Sequence, residues 1–265
     1  MSSQPKKVLH VCREKNFTEV VEQGEYRSLH FQGSVVQSRI ALNEPGRLVL
    51  RYTHYMMAAS LLVMPRPSRV LLIGIGAGAL LQFFKHHLPL CYIDAVDYSQ
   101  HVIDIAREYF HLPENGKIAV HCDDGLHFLA GQSVAEPYDI ILLDAFNDNG
   151  MARNIYSNEF FKLAGQSLSS RGIICGNLWS GDRREYARVK KAIVKHSAAS
   201  VFIPVRQREN IVALLFRSSV PWSSLCPANA VLHVLADRYK IDFKEVSAAA
   251  KSTMKLGEKL QCLFH

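Results

Sequence analysis

Val70-Leu71-Leu72-Ile73-Gly74-Ile75-Gly76-Ala77-Gly78-Ala79-Leu80 is an apolar run that enters a Gly-x-Gly-x-Gly turn. It predicts a strand buried on both faces, then a tight turn, then a helix. Glycine lets the backbone turn sharply and approach a ligand, and the helix N-terminus beyond it offers unpaired N–H groups. Gly74, Gly76 and Gly78 are therefore candidate cofactor-binding glycines. The turn alone is a weak signal, because strand-to-helix turns also use glycine for purely steric reasons.

Downstream of this run the period alternates. Strands are predicted at Arg69 to Gly74, Cys91 to Val96, Lys117 to His121, Tyr138 to Leu143, Gly172 to Leu178, Val201 to Val205 and Ile211 to Phe216. Between them lie amphipathic stretches at Gly78 to His87, Gln100 to Phe110, Gly125 to Ala130, Asn158 to Leu168 and the basic Arg183 to His196. Apolar runs alternating with such helices predict an α/β fold with a doubly wound parallel sheet covered on both faces. Upstream, Phe17 to Val21, Tyr26 to Phe31, Val35 to Ile40 and Leu48 to Arg51 are separated by Gly24, Gly33 and Glu44-Pro45-Gly46, the pattern of a small antiparallel meander. Tyr52 to Met64 reads as a helix with Tyr55, Met56, Ala59, Leu62 and Val63 on one face, stopped by Pro65-Arg66-Pro67. Two further helices are predicted at Asn229 to Tyr239 and Phe243 to Cys262. The expected organisation is an N-terminal β meander with its connecting helix over 1–66, a Rossmann-like donor-binding domain over 67–220, and a helical extension over 221–265.

Composition limits the classes. With 265 residues, 48% of them hydrophobic and 21% charged, the chain can bury a substantial core and is neither disordered nor fibrous. Its longest apolar stretch, Met56 to Met64, is far short of the roughly 20 residues of a membrane-spanning helix, and the apolar core of a secretory signal is missing after Lys7. A cytoplasmic protein with no membrane partner is expected. Six cysteines, Cys12, Cys91, Cys122, Cys175, Cys226 and Cys262, stand singly and read as buried free thiols. Neither His86-His87 nor His121-Cys122-Asp123-Asp124 has a metal-ligand spacing, so no metal is expected. A net charge of +7 is compatible with an anionic partner or with a solvated surface. The lysines at 244, 251, 255 and 259 read as a solvated helix face rather than as a nucleic-acid surface.

Acids at the ends of the next three predicted strands raise the weight of the glycine turn, because a doubly wound sheet binds its ligand there. Asp97 follows the second strand, 23 residues beyond Gly74, at the interval from which a carboxylate reaches both ribose hydroxyls. Ser99 is better placed than Asp97 to cap the following helix. Asp123 or Asp124, before Gly125, suits an adenine amino group, and the other of the two suits an N-cap. Asp144 follows the fourth strand. The third glycine comes one residue earlier than in Gly-x-Gly-x-x-Gly and no other phosphate cradle follows, which favours an S-adenosyl nucleoside over a dinucleotide.

At this point the chain resembles a family. Leu71 to Leu80, Ala95 to Ile103, Asp123 to Leu129, Tyr138 to Asp144 and Ile155 to Phe161 look, in order and spacing, like spermidine synthases, over roughly residues 20 to 216. Gln37-Ser38, Tyr52-Thr53 and Asn177-Leu178-Trp179 are similar to the bacterial spermidine-synthase-like subgroup. The resemblance implies a seven-stranded class I methyltransferase-type sheet with a small N-terminal β domain. It further implies an adenosyl donor of the S-adenosylmethionine or decarboxylated S-adenosylmethionine kind.

The departures are equally specific. Spermidine synthases carry an Asp in the glycine loop, where Ala77 stands here. They carry an Asp-Glu pair and a Tyr-His-Glu-Met run before the first Rossmann strand, where this chain has Val49-Leu50 and Thr53-His54-Tyr55-Met56. Of their Asp-Ser-Ser-Asp-Pro, only Asp144 is kept, in Asp144-Ala145-Phe146-Asn147-Asp148. A pocket so poor in acids suits a diamine badly, and Ala77 leaves room for intact S-adenosylmethionine. The expectation is an S-adenosyl-donor-dependent alkyltransferase acting on a small amine or similar nucleophile, with methyl and aminopropyl transfer evenly balanced. The alternative is a catalytically silent binding or regulatory relative. Asp144 is the expected proton acceptor and Tyr156 its expected partner; Tyr52, His54, Phe146 and Trp179 are expected around the acceptor. A homodimer is the expected assembly.

Overall fold

Leu71 and Leu72 are both fully buried and contribute to different apolar clusters, one on each side of the same strand. This is the environment of a central strand covered on both faces. The computed structural model describes residues 5–12, 17–31, 35–131, 136–147 and 150–255. It opens with β1 Lys7–Cys12, β2 Thr18–Gln23, β3 Tyr26–Phe31 and β4 Val35–Ala41, which pair antiparallel in chain order; β2 to β4 follow the predicted meander, and β1 is a strand beyond those predicted. Gly24 sits in the β2–β3 turn at φ 61°; Gly33 lies outside the described residues. Val20, Leu29 and Ile40 from this sheet pack against Ala79, Val102, Ile105 and Phe110 of the larger domain.

The expected strand Leu48 to Arg51 does not form. Leu48 makes one isolated bridge to Ile40, and Arg51 already opens α1 Arg51–Val63. Nor does α1 have a single apolar face: Thr53 and every residue from Tyr55 to Leu62 are buried. The helix is enclosed because it packs against strands of the large sheet on one side and C-terminal helices on the other.

The rest of the chain follows the predicted alternation: β5 Arg69–Ile73, α2 Ala79–His87, β6 Tyr92–Asp97, α3 Gln100–Phe110, β7 Ile118–Cys122, α4 Gly125–Gly131 and β8 Tyr138–Leu143. A two-strand ribbon, β9 Phe146–Asn147 and β10 Gly150–Met151, precedes α5 Asn158–Gln166, β11 Leu168–Trp179, α6 Arg183–His196, β12 Ala199–Pro204 and β13 Asn210–Phe216. The chain continues with α7 Trp222–Leu225, α8 Asn229–Tyr239 and α9 Phe243–Ser252. The large sheet runs β12-β13-β11-β8-β5-β6-β7. Strands β7, β6, β5, β8 and β11 are parallel, whereas β13 lies antiparallel between β11 and β12. The parallel sheet read from the period is therefore mixed at this edge, as in the class I methyltransferase-type sheet that the resemblance implied. Its cause is the short Val205 to Glu209 connection, closed by Val205 N–H to Asn210 O at 3.0 Å, which permits a hairpin and no crossover. The fold is that of the class I methyltransferases, with a small N-terminal antiparallel sheet.

Two smaller expectations change. The last helix stops at Ser252, and its predicted end, with Lys259, lies outside the described residues. Among the described free thiols Cys91 and Cys175 are buried, but Cys122 is exposed; Cys262 is not among the described residues. No helix among the described residues is long and apolar enough to cross a membrane.

Candidate active site

A cavity of about 1260 Å³ opens at the C-terminal ends of β5, β6, β7, β8 and β11, roofed by Phe31 and the Val36 to Arg39 stretch of the N-terminal sheet. Open α/β sheets bind ligands at this end, where strand order reverses; the reversal here lies between β5 and β8.

The glycine turn forms one wall. Gly74, Gly76 and Gly78 all have positive φ, at 93°, 53° and 75°. A Cβ at Gly74 would lie 2.3 Å from the Asp144 carbonyl oxygen, so the turn requires glycine there. Gly74 and Gly76 line the cavity, whereas Gly78 does not and packs against Leu112. Gly78 is thus corrected from a ligand contact to a steric one. Ala77 also leaves the site. It is fully buried with Val20, Leu29, Ile40 and Phe110, so the donor-selective position expected there does not face the cavity.

Asp97 closes the turn from below. Its Oδ2 accepts from Ile75 N–H at 2.9 Å and its Oδ1 from Ser99 N–H at 3.0 Å. It is 8% exposed and faces the cavity, and burial raises its pKa against the pull of these N–H groups and that of Gly76. With three N–H donors on its roughly four acceptor sites, the carboxylate keeps acceptor capacity for a ribose hydroxyl. Ser99 caps α3 through Val102 N–H, as its position predicts. Asp124 accepts from Leu126 N–H at 2.9 Å and His127 N–H at 3.2 Å, which makes it the cap of α4. Asp123 pairs with His127 and remains a third exposed, so it is the acid available to a base. Gly125 completes this wall; a Cβ there would lie 2.8 Å from Ile73 Cγ2. A buried, cavity-facing carboxylate and a turn that only glycine can make fit an adenosyl ligand.

At the other wall Asp144 follows β8. Its Oδ2 accepts from the Tyr52 hydroxyl at 2.9 Å and its Oδ1 from Asn177 Nδ2 at 2.9 Å. Burial pushes its pKa up, and the two hydrogen bonds oppose that rise. Phe146 and Trp179 line the same space, Trp179 being 39% exposed. Glu209 and Asn210, which the sequence reading missed, reach it from the β12–β13 hairpin. Ser180 holds that hairpin through N–H and Oγ bonds to Glu209 O at 2.9 and 2.7 Å. A Cβ at Gly181 would meet both Trp179 Nε1 at 2.4 Å and Glu209 Oε2 at 2.8 Å, so indole and carboxylate converge over that glycine.

Two residues expected at the acceptor end do not reach the cavity. Tyr156 is fully buried, and its hydroxyl donates to Asn177 O at 2.7 Å; it holds the β11 backbone instead of meeting an acceptor. His54 Nε2 lies 2.8 Å from Leu48 O, and burial lowers its pKa, so it secures the start of α1. Asp148 lies outside the described residues. Among the described residues no group of three His, Cys, Asp or Glu side chains could hold a metal.

Sheet order and cavity together define a protein of the class I methyltransferase type. The family model for the Spermine/spermidine synthase domain matches residues 49–200, more than half of the chain, and the chain belongs to that family of S-adenosyl-donor-dependent alkyltransferases. It is 30% identical over 239 residues to the polyamine aminopropyltransferase of Chromobacterium violaceum, covering 89% of each chain. It is 29% identical over 235 residues to that of Neisseria meningitidis serogroup A, covering 88% of this chain and 89% of the relative. A spermidine synthase solved in complex with the transition-state analogue AdoDATO superposes with a TM-score of 0.72 at 15% identity, covering 92% of this chain and 84% of the other.

Proposed function

We propose that the protein transfers an aminopropyl group from decarboxylated S-adenosylmethionine to a small amine. The even balance between methyl and aminopropyl transfer is thereby corrected. It rested on the missing acids and on Ala77 facing the donor; Ala77 is buried elsewhere, and the relatives are named polyamine aminopropyltransferases.

The observation that carries the reading is Asp144, a half-buried carboxylate at a strand end that faces the cavity between two fixed hydrogen-bond donors. The amine nitrogen attacks the donor carbon next to sulfur. An N–C bond forms, the C–S bond breaks, the electron pair leaves with sulfur as neutral methylthioadenosine, and one proton leaves the nitrogen. The sulfonium is already a good leaving group, so this chain's residues have to bring an unprotonated amine into line and exclude water. Asp144 orients the amine and accepts its proton. Asp97 holds the ribose, Asp123 the adenine edge, and the Gly74 to Gly76 backbone lies against the nucleoside. Phe146 and Trp179 wall the acceptor, and Glu209 supplies the second acid whose apparent lack argued against a diamine. The convergence of Trp179 and Glu209 favours an acceptor with a second ammonium.

The silent alternative is disfavoured by Asp144 and both its partners being in place. Incubation with decarboxylated S-adenosylmethionine and a panel of mono- and diamines should release methylthioadenosine and yield the aminopropylated amine by mass spectrometry. Release of S-adenosylhomocysteine from S-adenosylmethionine, with no aminopropyl product, would replace this reading by methyl transfer. A homodimer is retained as the expected assembly, to be checked by light scattering.

A further inference from the structure

Asn177 is 2% exposed and both ends of its side-chain amide are engaged. Its Nδ2 donates to Asp144 Oδ1 at 2.9 Å, and its Oδ1 accepts from Asn210 Nδ2 at 2.9 Å. An ionised carboxylate only accepts, so Asn177 must turn its NH₂ toward Asp144 and its oxygen away. That oxygen is buried and needs a donor of its own, which Asn210 supplies. The arrangement depends on the antiparallel insertion of β13, which pairs Trp179 with Asn210 and sets Asn210 diagonal to Asn177 on the same face. Asn177 cannot shift as a whole, because its backbone oxygen is held by Tyr156 at 2.7 Å. Its remaining freedom is the turn of its amide.

We propose that Asn210 is a positioning residue for the transfer reaction, fixing which end of the Asn177 amide faces Asp144. The proposal rests on the aminopropyl-transfer reading above. With Asn210 in place, Asp144 receives an N–H; with the amide turned, it faces a carbonyl oxygen, which disfavours its charged form. The titratable groups around Asp144 are Tyr52 on α1, Tyr156 before α5 and Cys175 on β11. Burial pushes all three up, Cys175 to about 12, so each stays protonated near neutrality and Asp144 is the group that titrates.

The test compares three variants of the full chain. Asn210→Asp has the same shape but, ionised, can only accept, so Asn177 must turn its NH₂ to residue 210 and its oxygen to Asp144. Asn210→Leu removes the donor without adding charge, and Asn210→Gln keeps it. On the acid side of the Asp144 titration the Asp and Leu variants should lose about tenfold in kcat, with KM for the adenosyl donor within about twofold of wild type. In both, the acid limb of kcat should move up by about one pH unit, equivalent to that tenfold change in ionised Asp144. Asn210→Gln should restore both. Independently of turnover, the carboxyl carbon of Asp144 followed by NMR should titrate about one unit higher in the Asp and Leu variants. An unshifted Asp144 titration in both variants overturns the proposal, whatever their activity. A shifted titration in a protein that transfers nothing leaves the positioning role standing and removes the transfer reading instead.

Discussion

The Tyr52 hydroxyl donates to Asp144 Oδ2 at 2.9 Å while lying 3.4 Å from the Gln37 carbonyl, so its single proton goes to the carboxylate. This contact ties α1, which is buried on all sides, to the end of β8. Burial first, then Asp144 itself, pushes the Tyr52 pKa well above its ordinary value, so the hydroxyl remains a donor through the working pH range. Tyr52→Phe removes one of the two side-chain bonds that oppose the upward shift of Asp144. Because the ionised carboxylate accepts the amine proton, activity rises with pH through the Asp144 pKa, and the variant's acid limb should move to higher pH. A drop of about tenfold in kcat is expected from losing one hydrogen bond to a charged group, with adenosyl-donor affinity preserved. Steady-state kinetics between pH 5 and 9 check this; an unchanged limb would show that the contact is architectural only.

Asp97 combines the cavity-facing position that the sequence suggested with a task that it did not. It latches the glycine turn through Ile75 and Ser99 N–H, and it lines the cavity. Asp97→Ala should therefore lower affinity for decarboxylated S-adenosylmethionine by about 1.5–3 kcal/mol for each charge-assisted bond lost. It should also lower Tm, because the backbone N–H groups of Ile75, Gly76 and Ser99 lose their acceptor. Calorimetric titration paired with thermal unfolding measures both, and wild-type affinity in a folded variant would remove Asp97 from the donor site.

Asp144→Asn removes the proton acceptor while nearly preserving size. Donor affinity should stay within a few-fold and transfer should fall by about 10²–10⁴. Methylthioadenosine release under saturating substrates is the readout. Substantial residual transfer would mean that water or another residue takes the amine proton.

What could be read from the chain was local. The strand, the glycine turn and Asp97 lie close together in sequence, and hydrophobic periodicity places the strand-end acids at one edge of the sheet without further information. The choice between Asp123 and Asp124 needed the α4 geometry, since either could cap the helix. Asn210 and Glu209 were missed because they reach the site only through the insertion of β13 between β11 and β12, a long-range pairing that the short connection between the last two strands does not specify. Tyr156 was placed in the acceptor site by its neighbourhood in a family-like motif, yet its hydroxyl turns to the Asn177 carbonyl. His54 was likewise assigned by position, and a backbone carbonyl claims its ring.

Glu209 stands beside Trp179 at the cavity mouth. An exposed carboxylate that meets a second ammonium contributes modestly, about 0.2–1 kcal/mol, and the indole face adds a comparable amount. Glu209→Gln should therefore raise KM for a diamine a few-fold and leave KM for a monoamine of equal length unchanged. Equal effects on both amines would show that Glu209 does not read the second charge.

Ala77 separates the position expected from the family pattern from the position observed. Where spermidine synthases carry an acid, Ala77 was expected to leave room for intact S-adenosylmethionine. Ala77 is instead 0% exposed in the apolar contact between the N-terminal sheet and α3, among Val20, Leu29, Ile40 and Phe110. Ala77→Asp should bury a carboxylate among hydrocarbon side chains, and destabilisation of about 2–4 kcal/mol at neutral pH follows from desolvation and overpacking. The two contributions separate by pH. A buried carboxyl has a folded-state pKa above its unfolded value of about 3.9. Its desolvation penalty is then absent below that value and grows as pH rises toward and past the folded pKa, whereas overpacking is independent of pH. Denaturant unfolding of wild type and variant at pH 4 and 7.5 should show a deficit that widens at the higher pH, with the order of affinities for the two adenosyl donors unchanged. A variant as stable as wild type that binds the decarboxylated donor more tightly would show that residue 77 faces the cavity after all.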